Sequence, residues 1–468
     1  MMMTFNLALR NLLRNSRRSI ATLLGMALGS TAILLFGGFK VNLGYEMETT
    51  HIRKDGHLQI QHRDFYLYGS GNPTAYGIAD YQRILAAIRN DPELKTMVLV
   101  ATPALQFGGI AGNYTASVSR TVIGNGYVAE DVNRMRRWNG FGLGSTAAMS
   151  ALEGASSDSA VVGTGVARVL QLCDALKIER CPKPEKEKQP EGEALPADIA
   201  QLSVQETAPG AGSGVARAGL PKIEVLVVNA RGAPNVASLE VLRAEDQGIK
   251  ELDEVSMNMH LAKLQQLVYG QSIPKATSIM IQLSHSDQIP AARARLALVL
   301  AGFSQNQPLA VMDFRQLNPF FVQATLMFDT IFGFVFLLIG SIVLFTVSNT
   351  MNTTVVERTV EIGTLRAIGL RRDGILHLFV IEGALLGLFG ALLGVALALI
   401  LSVVINLIGM PWLPPAAAVP LPFNVAVWGQ NLMIIGTTIG LICIATLSAW
   451  WPAYRAARLD VVEALRHV

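Results

Sequence analysis

The sequence predicts an α-helical membrane protein with four transmembrane helices and a large extracytoplasmic α+β domain between the first and second spans. Of the 468 residues, 51% are hydrophobic and only 16% are charged, whereas soluble domains carry about 25% charged residues. Four segments are apolar over the roughly 20 residues that a helix needs to cross a bilayer. Residues 43–325 separate the first of these segments from the other three.

The four spans follow from the distribution of charge and proline. The first covers residues 20–42. The second covers 326–349, most of which lies in the stretch without charge between Asp329 and Glu357. No charged residue occurs from Gly383 to Tyr454, which is too long for one span. Prolines cannot continue helical hydrogen bonding, so they divide this stretch into spans 376–408 and 427–452, joined by the short loop 409–426; these prolines are Pro411, Pro414, Pro415, Pro420 and Pro422.

Basic residues in the short flanks predict the orientation, because cytoplasmic flanks carry the excess of Lys and Arg. With four spans, three arginine-rich flanks fall on one side, so both termini are expected in the cytoplasm and residues 43–325 outside it. The residues after the first span offer no small-residue cleavage site, which favours a retained anchor over a signal peptide. The arginines are Arg10, Arg14, Arg17 and Arg18, then Arg358, Arg366, Arg371 and Arg372, then Arg455, Arg458 and Arg466.

Two cytoplasmic segments have amphipathic helical patterns. Residues 1–19 place Phe5, Leu9, Leu12 and Leu13 opposite arginines, which is typical of a helix lying on the inner membrane surface. In residues 350–375, Ile362, Leu365 and Ile368 fall at helical spacing, with charged residues on the other faces. This second helix either anchors the chain at the interface or docks a cytoplasmic partner. Residues 453–468 form a cytoplasmic tail.

The domain at residues 43–325 mixes strand and helix patterns. Residues 182–221 are rich in charge, proline and glycine, and we expect a flexible insertion there, with a docking arm as the alternative. We expect a hairpin from 104–110 and 114–123 around Gly112-Asn113. The other expected strands are 57–62, 223–228 and 278–283, and the expected helices are 81–94, 161–172, 261–268 and 289–300.

Cysteines and histidines are few. Cys173 and Cys181 lie eight positions apart in a region placed outside the cytoplasm, where a disulfide is permitted; a bridge and two unpaired thiols both remain open. His57 and His62 are five apart on a predicted strand and so point to opposite faces. We therefore expect solvated strand histidines and no metal site, although further ligand types cluster there: His51, Asp55 and Asp64.

Several functions are excluded by missing motifs. The sequence contains no Gly-x-x-x-x-Gly-Lys-Ser/Thr loop, so we expect no ATPase activity and no bound nucleotide or other cofactor in this chain. We also find no convincing nucleophile elbow and no His-Glu-x-x-His helix. A net charge of +3 without a basic patch argues against nucleic-acid binding. No span carries the charged relay of an ion-coupled transporter, and Glu382, near the inner surface, is expected to snorkel.

Glycines recur at four-residue spacing in the spans, which stacks them on one helix face and lets helix backbones approach closely. The pattern fits either packing within the chain or an interface between two copies. The glycines assigned to helix packing are Gly25, Gly29, Gly387, Gly390 and Gly394; Gly383, Gly436 and Gly440 extend the same patterns.

Three segments carry a resemblance to a known family. Residues 8–15 (ALRNLLRN), 357–369 (ERTVEIGTLRAIG) and 452–466 (PAYRAARLDVVEALR) closely resemble the corresponding parts of MacB/FtsX-type ABC transporter permeases, and the order of spans agrees. More weakly, residues 56–60 (GHLQI) and 250–253 (KELD) look like the lipoprotein-releasing (LolC/LolE-like) branch. The insertion at 182–221 departs from the shorter members.

The resemblance implies a dimeric permease in a bacterial inner membrane, formed with a second copy or a paralogue. A cytoplasmic P-loop ATPase dimer would use ATP and Mg, and its motion would pass to the outer domain by mechanotransmission. The implied work is export or extraction of a substrate such as a lipoprotein, with a periplasmic adaptor as a further partner. The alternative is a signalling scaffold that activates a cell-wall hydrolase without transport. The residues implied for ATPase coupling are Glu357, Arg358, Glu361, Gly363, Arg366 and Gly369.

Overall fold

The computed structural model describes residues 7, 8, 10, 16–69, 71–144, 147–178, 181, 219–303, 307–413 and 420–459. Most of the predicted amphipathic helix 1–19 lies outside the described residues, as does nearly all of the predicted insertion 182–221. The chain divides into two compact units. The membrane unit comprises residues 1–48, 319–412 and 420–468, and the α/β unit comprises residues 49–318 and 413–419.

The described helices and strands have the following bounds. In chain order the helices are α1 (Ser16–Asp55), α2 (Phe65–Tyr68), α3 (Tyr81–Asn90), α4 (Leu94–Met97), α5 (Ala129–Arg136), α6 (Thr164–Val169), α7 (Lys250–Asp253), α8 (Leu261–Tyr269), α9 (Ile289–Ala301), α10 (Phe314–Leu317), α11 (Pro319–Glu357), α12 (Thr359–Ala367), α13 (Arg372–Ile408) and α14 (Asn431–Ala457). The strands are β1 (Leu58–His62), β2 (Val98–Asn113), β3 (Val118–Tyr127), β4 (Ser159–Gly163), β5 (Lys222–Val228), β6 (Pro234–Glu245), β7 (Ser256–His260), β8 (Ser278–Leu283), β9 (Leu309–Asp313), β10 (Pro411–Trp412) and β11 (Leu421–Pro422).

Four helices of the described chain, α1, α11, α13 and α14, are long and apolar enough to cross a membrane. This confirms the predicted number of spans and their order. The helices extend beyond the predicted spans, since α1 continues to Asp55 and α11 runs from Pro319 to Glu357. Proline is favourable at the first helical position, where its missing N–H is not needed. Because α11 ends at Glu357, residues 350–357, which were predicted as part of the cytoplasmic helix, belong to the second long helix.

Glycines of α13 mark where the helices of the membrane unit approach most closely. A Cβ added at Gly387 would lie 2.9 Å from the Cβ of Ala445 on α14. One added at Gly390 would lie 2.7 Å from the Cβ of Met26 on α1. Real Cβ atoms essentially never come this close, so both contacts require glycine. These glycines pack within the chain, which is the first of the two predicted alternatives.

Polar side chains reinforce the contacts of α1. The Thr31 hydroxyl donates to the carbonyl oxygen of Gly394 on α13 at 3.1 Å, and Thr22 and Thr350 share a hydrogen bond of 2.9 Å between α1 and α11. Gly29 also belongs to this surface, because an added Cβ would lie 2.9 Å from Ile339 Cγ2. Gly25 is packed less tightly, because the atom nearest to an added Cβ is Thr346 Cγ2 at 4.0 Å.

The α/β unit contains one sheet of nine strands in the order β3-β7-β4-β6-β5-β2-β8-β1-β9. Strand β3 also pairs with β2, so six strands form a closed ring: β2, β3, β7, β4, β6 and β5. The long strand β2 belongs to both parts of the sheet. Its first half, to Ala104, pairs with β8, and its second half, to Asn113, pairs with β3. Strands β8, β1 and β9 thus extend from the ring as an open sheet.

Each part of this sheet has its own apolar core. The larger core includes Phe107, Val225 and Met257 from strands of the ring, together with Leu264 of α8. The open sheet buries Leu58 and Ile60 of β1 with residues of α3 and α9. Because successive side chains of a strand point to opposite faces, the neighbouring Gln59 and Gln61 lie on the other face of β1.

Several predicted elements of this unit are confirmed, and three are corrected. The helix predicted at 161–172 is wrong, because Ser159–Gly163 form a strand that is buried at every position and α6 is short. The hairpin is present, but its turn follows Asn113, which pairs with Val118. The helix predicted at 81–94 ends at Asn90, since the Asp91 carboxylate accepts hydrogen bonds from the backbone N–H groups of the next turn.

Candidate functional site

The predicted coupling segment is a bent helix rather than one continuous helix. Helix α11 ends at Glu357, and Arg358 departs from helical geometry with φ −101° and ψ 17°. Backbone hydrogen bonds span the bend, from Arg358 N to Thr354 O at 3.1 Å and from Ile362 N to Arg358 O at 2.9 Å. Helix α12 therefore continues α11 at a changed angle.

A glycine ends α12. Gly369 has φ +105°, a backbone conformation that favours glycine. Its N–H donates to Arg366 O at 3.1 Å, and the Leu370 N–H donates to Leu365 O at 3.0 Å. These two bonds form the Schellman arrangement that closes many helices. The structure thus gives Gly369, predicted as a coupling residue, a defined role in helix termination.

Helix α12 has one buried face and one exposed face. Ile362 is 3% exposed, and Leu365 packs against the same apolar cluster. Val360 is 45% exposed and Ile368 is 80% exposed. Ile368 was predicted to share one helical face with Ile362 and Leu365, but it follows the last helical residue, so the helical periodicity no longer applies there.

Arg358 and Glu382 form a buried ion pair. Arg358 Nη1 lies 3.5 Å from Glu382 Oε1, and their side chains are 7% and 4% exposed. Glu382 is on α13, so the pair joins the bend between α11 and α12 to the third long helix. The structure corrects the expectation that Glu382 snorkels, because its carboxyl group turns inward to the arginine.

Arg366 links α12 to the end of α14. Its Nη1 donates a hydrogen bond to the carbonyl oxygen of Leu459, two residues after α14 ends. Leu459 also packs against the apolar cluster that holds Ile362. The short helix is therefore fixed to two neighbours in the membrane unit, α13 through Arg358 and the end of α14 through Arg366.

The six predicted coupling residues differ in how deeply they are buried. Arg358 and Gly363 are buried, Arg366 is half-buried, and Glu357, Glu361 and Gly369 are exposed. Two contacts of these residues were not predicted from the sequence: the ion pair of Arg358 with Glu382 and the hydrogen bond of Arg366 to the Leu459 carbonyl. The lone acid in an apolar helix was the only available signal for Glu382, because such a residue usually has a partner.

In the α/β unit, His57 is buried rather than solvated. Its Nδ1 accepts a hydrogen bond from the Leu283 N–H at 3.0 Å, and its ring meets Trp138 edge-on at 5.0 Å between centroids. Burial, with a smaller contribution from nearby His285, lowers the pKa of His57 to about 3. The imidazole is therefore neutral at physiological pH and acts as a structural acceptor.

The structure joins Cys173 and Cys181 in a disulfide, with their Cα atoms 6.1 Å apart. The bridge is one of the two alternatives left open by the sequence. In the part of the chain that the structure describes, no three His, Cys, Asp or Glu side chains come together as metal ligands do.

Comparisons with known proteins concern mainly the membrane unit. Residues 330–461 match the family of the FtsX-like permease C-terminal domain. This part of the chain is similar to FtsX-like permease C-terminal domains. The domain begins within α11 and includes α12, α13 and α14. The resemblance noted in residues 357–369 is thereby confirmed for the MacB/FtsX type, while the lipoprotein-releasing branch stays a prediction.

Several known proteins are similar to parts of this chain. An uncharacterized ABC transporter permease of Methanocaldococcus jannaschii is 33% identical over 132 residues, which are 28% of this chain and 30% of that protein. The macrolide export ATP-binding/permease protein MacB of Agrobacterium fabrum is 37% identical over 119 residues, 25% of this chain and 16% of MacB. MacB of Escherichia coli strain K12 is 34% identical over 139 residues, 30% and 19% of the two chains. The matched region thus spans less than a third of each relative.

Two solved structures resemble the chain weakly. The extracellular domain of the noncanonic ABC-type transporter YknZ from Gram-positive bacteria aligns with 55% of this chain and 99% of its own, at 10% identity and a TM-score of 0.28. The periplasmic region of MacB from Actinobacillus actinomycetemcomitans aligns with 57% and 94% of the two chains, at 11% identity and a TM-score of 0.31. At these scores the likeness does not identify the fold of the α/β unit.

Proposed function

We propose that this chain is the permease subunit of an ABC transporter of MacB/FtsX type and works with P-loop ATPase subunits that bind ATP and Mg. The FtsX-like domain at residues 330–461 is the observation that carries the proposal. Proteins similar to parts of this chain include ones named as ABC transporter permeases and as ATP-binding/permease proteins. In the proposed orientation, α12 and both termini face the cytoplasm, and the α/β unit lies outside it.

The exposed face of α12 is the proposed contact for the ATPase. It presents the apolar side chain of Val360 beside the exposed Glu361, and the exposed Ile368 follows directly after the helix. A small apolar surface next to a charge is a common composition for a protein interface. On the opposite side, Ile362 and Gly363 are buried, so a force applied to α12 acts on the core of the membrane unit.

The contacts of α12 suggest how motion would spread. The Arg358–Glu382 pair would pass a displacement of α12 to α13, and Arg366 would pass it to the end of α14. The bend at Arg358 keeps backbone hydrogen bonds to α11, so α11 would move with α12. The chain enters the α/β unit at residues 48–49, within α1, and leaves it at residues 318–319, where α11 begins.

The proposed outcome is mechanotransmission. Movement of α1 and α11 would reposition the α/β unit, which would export or extract a substrate from the outer leaflet or the space beyond it. A second permease copy or paralogue would complete the assembly. A lipoprotein substrate and a periplasmic adaptor remain part of the proposal on the resemblance of residues 56–60 and 250–253 alone.

The test uses two variants of α12, each reconstituted in lipid and then mixed with the separately purified ATPase. Glu361→Lys reverses an exposed charge, and Gly363→Trp places a large side chain at a buried position. Both should insert normally into the membrane but lose the stimulation of ATP hydrolysis that the permease gives. Glu130→Lys, the same reversal at an exposed site of the α/β unit, is the matched control. Full stimulation in both α12 variants would contradict the assigned contact.

A further inference from the structure

The α/β unit contains a polar cleft that no step above uses. Its volume is about 310 Å³. Three glutamines, Gln59, Gln61 and Gln106, form its floor, and Asp55, Phe65 and Tyr66 contribute to its walls. We call these six residues the amide cleft.

The floor follows from strand geometry. Gln59 and Gln61 are two positions apart on β1 and so share a face, opposite the buried Leu58 and Ile60. Gln61 pairs with Ser278 of β8, and Ser278 pairs with Ala104 of β2. Gln106 is two residues beyond Ala104 and therefore lies on the same face. Three glutamines thus occupy a sheet face that is largely closed to solvent, since Gln59 is 7% and Gln61 is 5% exposed.

Hydrogen bonds within the cleft leave one buried acceptor unused. Gln59 Nε2 donates to Asp55 O at 3.0 Å, and Gln61 Nε2 donates to Gln59 Oε1 at 2.7 Å. Gln61 Oε1 is buried and has no hydrogen-bond partner among the described residues. An unused buried acceptor is unfavourable, and buried polar groups of native proteins almost always find a partner. The missing partner must donate a hydrogen bond.

The residues that line the cleft indicate which kind of chemical group this donor is. The Asp55 side chain is a carboxylate, which only accepts hydrogen bonds when ionised. Phe65 and Tyr66 bring aromatic rings, whose faces attract cations. No Lys, Arg or His is among the described residues that line the cleft. An ammonium group has three donors, no acceptor and a positive charge, so it matches the acceptor, the carboxylate and the rings together.

We propose that the amide cleft binds an organic ammonium group, carried either by a free polyamine or by a lysine side chain of a polypeptide. The ammonium donates to Gln61 Oε1 and pairs with the Asp55 carboxylate, and its carbon chain lies against Phe65 and Tyr66. This assignment stands apart from the proposed transport function, because it uses only residues of the α/β unit and needs no ATPase.

The test is isothermal titration calorimetry on the full chain in nanodiscs of neutral lipid at physiological salt. The two probes are spermidine and the capped tripeptide Gly-Lys-Gly, with glutarate as an anionic comparison. We expect saturable binding of at least one amine and none of glutarate. Binding of spermidine alone identifies a free polyamine as the ligand type, and binding of the tripeptide identifies a polypeptide side chain.

Two variants assign the binding to the cleft. Asp55→Asn keeps the shape but removes the charge, and should raise the Kd about tenfold or more, the usual weight of a charged hydrogen bond. Gln61→Leu removes the buried acceptor and should weaken binding similarly. Asp287→Asn makes the same charge change at an exposed site outside the cleft and should leave the Kd unchanged. Absence of amine binding, or equal Kd values for Asp55→Asn and the unmodified chain, would overturn the proposal.

Discussion

At the scale of single residues, the contact with the strictest requirements is the ion pair between Arg358 and Glu382. The two charged groups lie 3.5 Å apart, with side chains 7% and 4% exposed. A charge so far from water is costly unless a partner of opposite sign stays with it. The pair therefore fixes the bend before α12 against α13, and neither residue can change alone without a large effect.

The first prediction compares the loss of one residue of this ion pair with the loss of both. Glu382→Leu removes the partner of Arg358 on α13 and should lower the free energy of unfolding by about 3 kcal/mol, a typical cost of breaking a buried pair. Arg358→Leu should cost a similar amount. The double variant should cost clearly less than the sum, because it leaves no unmatched charge. Denaturant unfolding in detergent measures all three, and strictly additive effects would contradict the pairing.

The second prediction concerns His57, whose pKa is lowered to about 3 by burial. An unfolded histidine has a pKa of about 6.5, so between these values the unfolded state binds the proton and the folded state does not. Stability should thus fall as the pH drops from about 6.5 towards 3, by up to about 1.4 kcal/mol per pH unit. Hydrogen exchange at β8, where Leu283 donates to His57, measures this loss.

The matched variant for this effect is His57→Asn. Asparagine keeps an acceptor near the Leu283 N–H but does not titrate. Exchange at β8 should then depend less on pH than in the unmodified chain, because the remaining dependence comes from other groups. The same pH dependence in both proteins would show that the imidazole does not titrate as its burial requires.

At the scale of elements, helix contacts in the membrane unit depend on glycines of α13. An added Cβ at Gly394 would lie 2.6 Å from the carbonyl oxygen of Ala27 on α1, and the Gly394 carbonyl itself accepts the Thr31 hydrogen bond. A clash with backbone cannot be relieved by rotating a side chain. Gly436 on α14 differs, since an added Cβ there meets no atom within 4 Å.

The third prediction compares these two glycines. Gly394→Ala should destabilise the membrane unit by about 1–3 kcal/mol, the usual cost of overpacking, and should lower the yield of monodisperse protein. Gly436→Ala should be close to neutral in the same thermal unfolding measurement. Equal unfolding temperatures for the two variants would mean that α1 and α13 are not in the close contact described.

These elements also show how far the sequence could predict the structure. Spans were predictable because lipid requires long apolar helices, and the α13 glycines kept the four-residue spacing of a packed face. Strand β4 was not predictable, because Val161 and its neighbours are all buried. They lack the alternation of apolar and polar residues that distinguishes a strand from a helix. The start of α12 depended on a bend at Arg358 whose partner, Glu382, is 24 positions away, which local periodicity cannot reveal.

At the scale of the whole molecule, residues 330–461 match the FtsX-like permease C-terminal family, and the α/β unit lies in the sequence between the long helices α1 and α11. The orientation of these parts was inferred from arginines in the flanks, of which Arg14 and Arg466 lie outside the described residues. The proposed function requires α12 on the side of the ATPase and the α/β unit on the other side of the membrane.

The fourth prediction tests this orientation by cysteine labelling with a membrane-impermeant maleimide. Thr364→Cys on α12 should react only in inverted membrane vesicles, and Asp287→Cys in the α/β unit should react only in intact spheroplasts. Both positions are exposed. The background variant should be Cys443→Ser, because Cys443 is the one cysteine outside the disulfide. Labelling of both positions from the same side would overturn the proposed topology.

The most direct test of the central claim is purification of the chain from its native membranes in mild detergent, followed by mass spectrometry of the proteins that accompany it. We expect a P-loop ATPase in the complex of the unmodified chain and in that of the Glu130→Lys control. We expect the ATPase to be lost in the Glu361→Lys variant. An accompanying lipoprotein or periplasmic adaptor would favour transport, and a cell-wall hydrolase would favour signalling. A stable complex that contains no ATPase would contradict the proposed function.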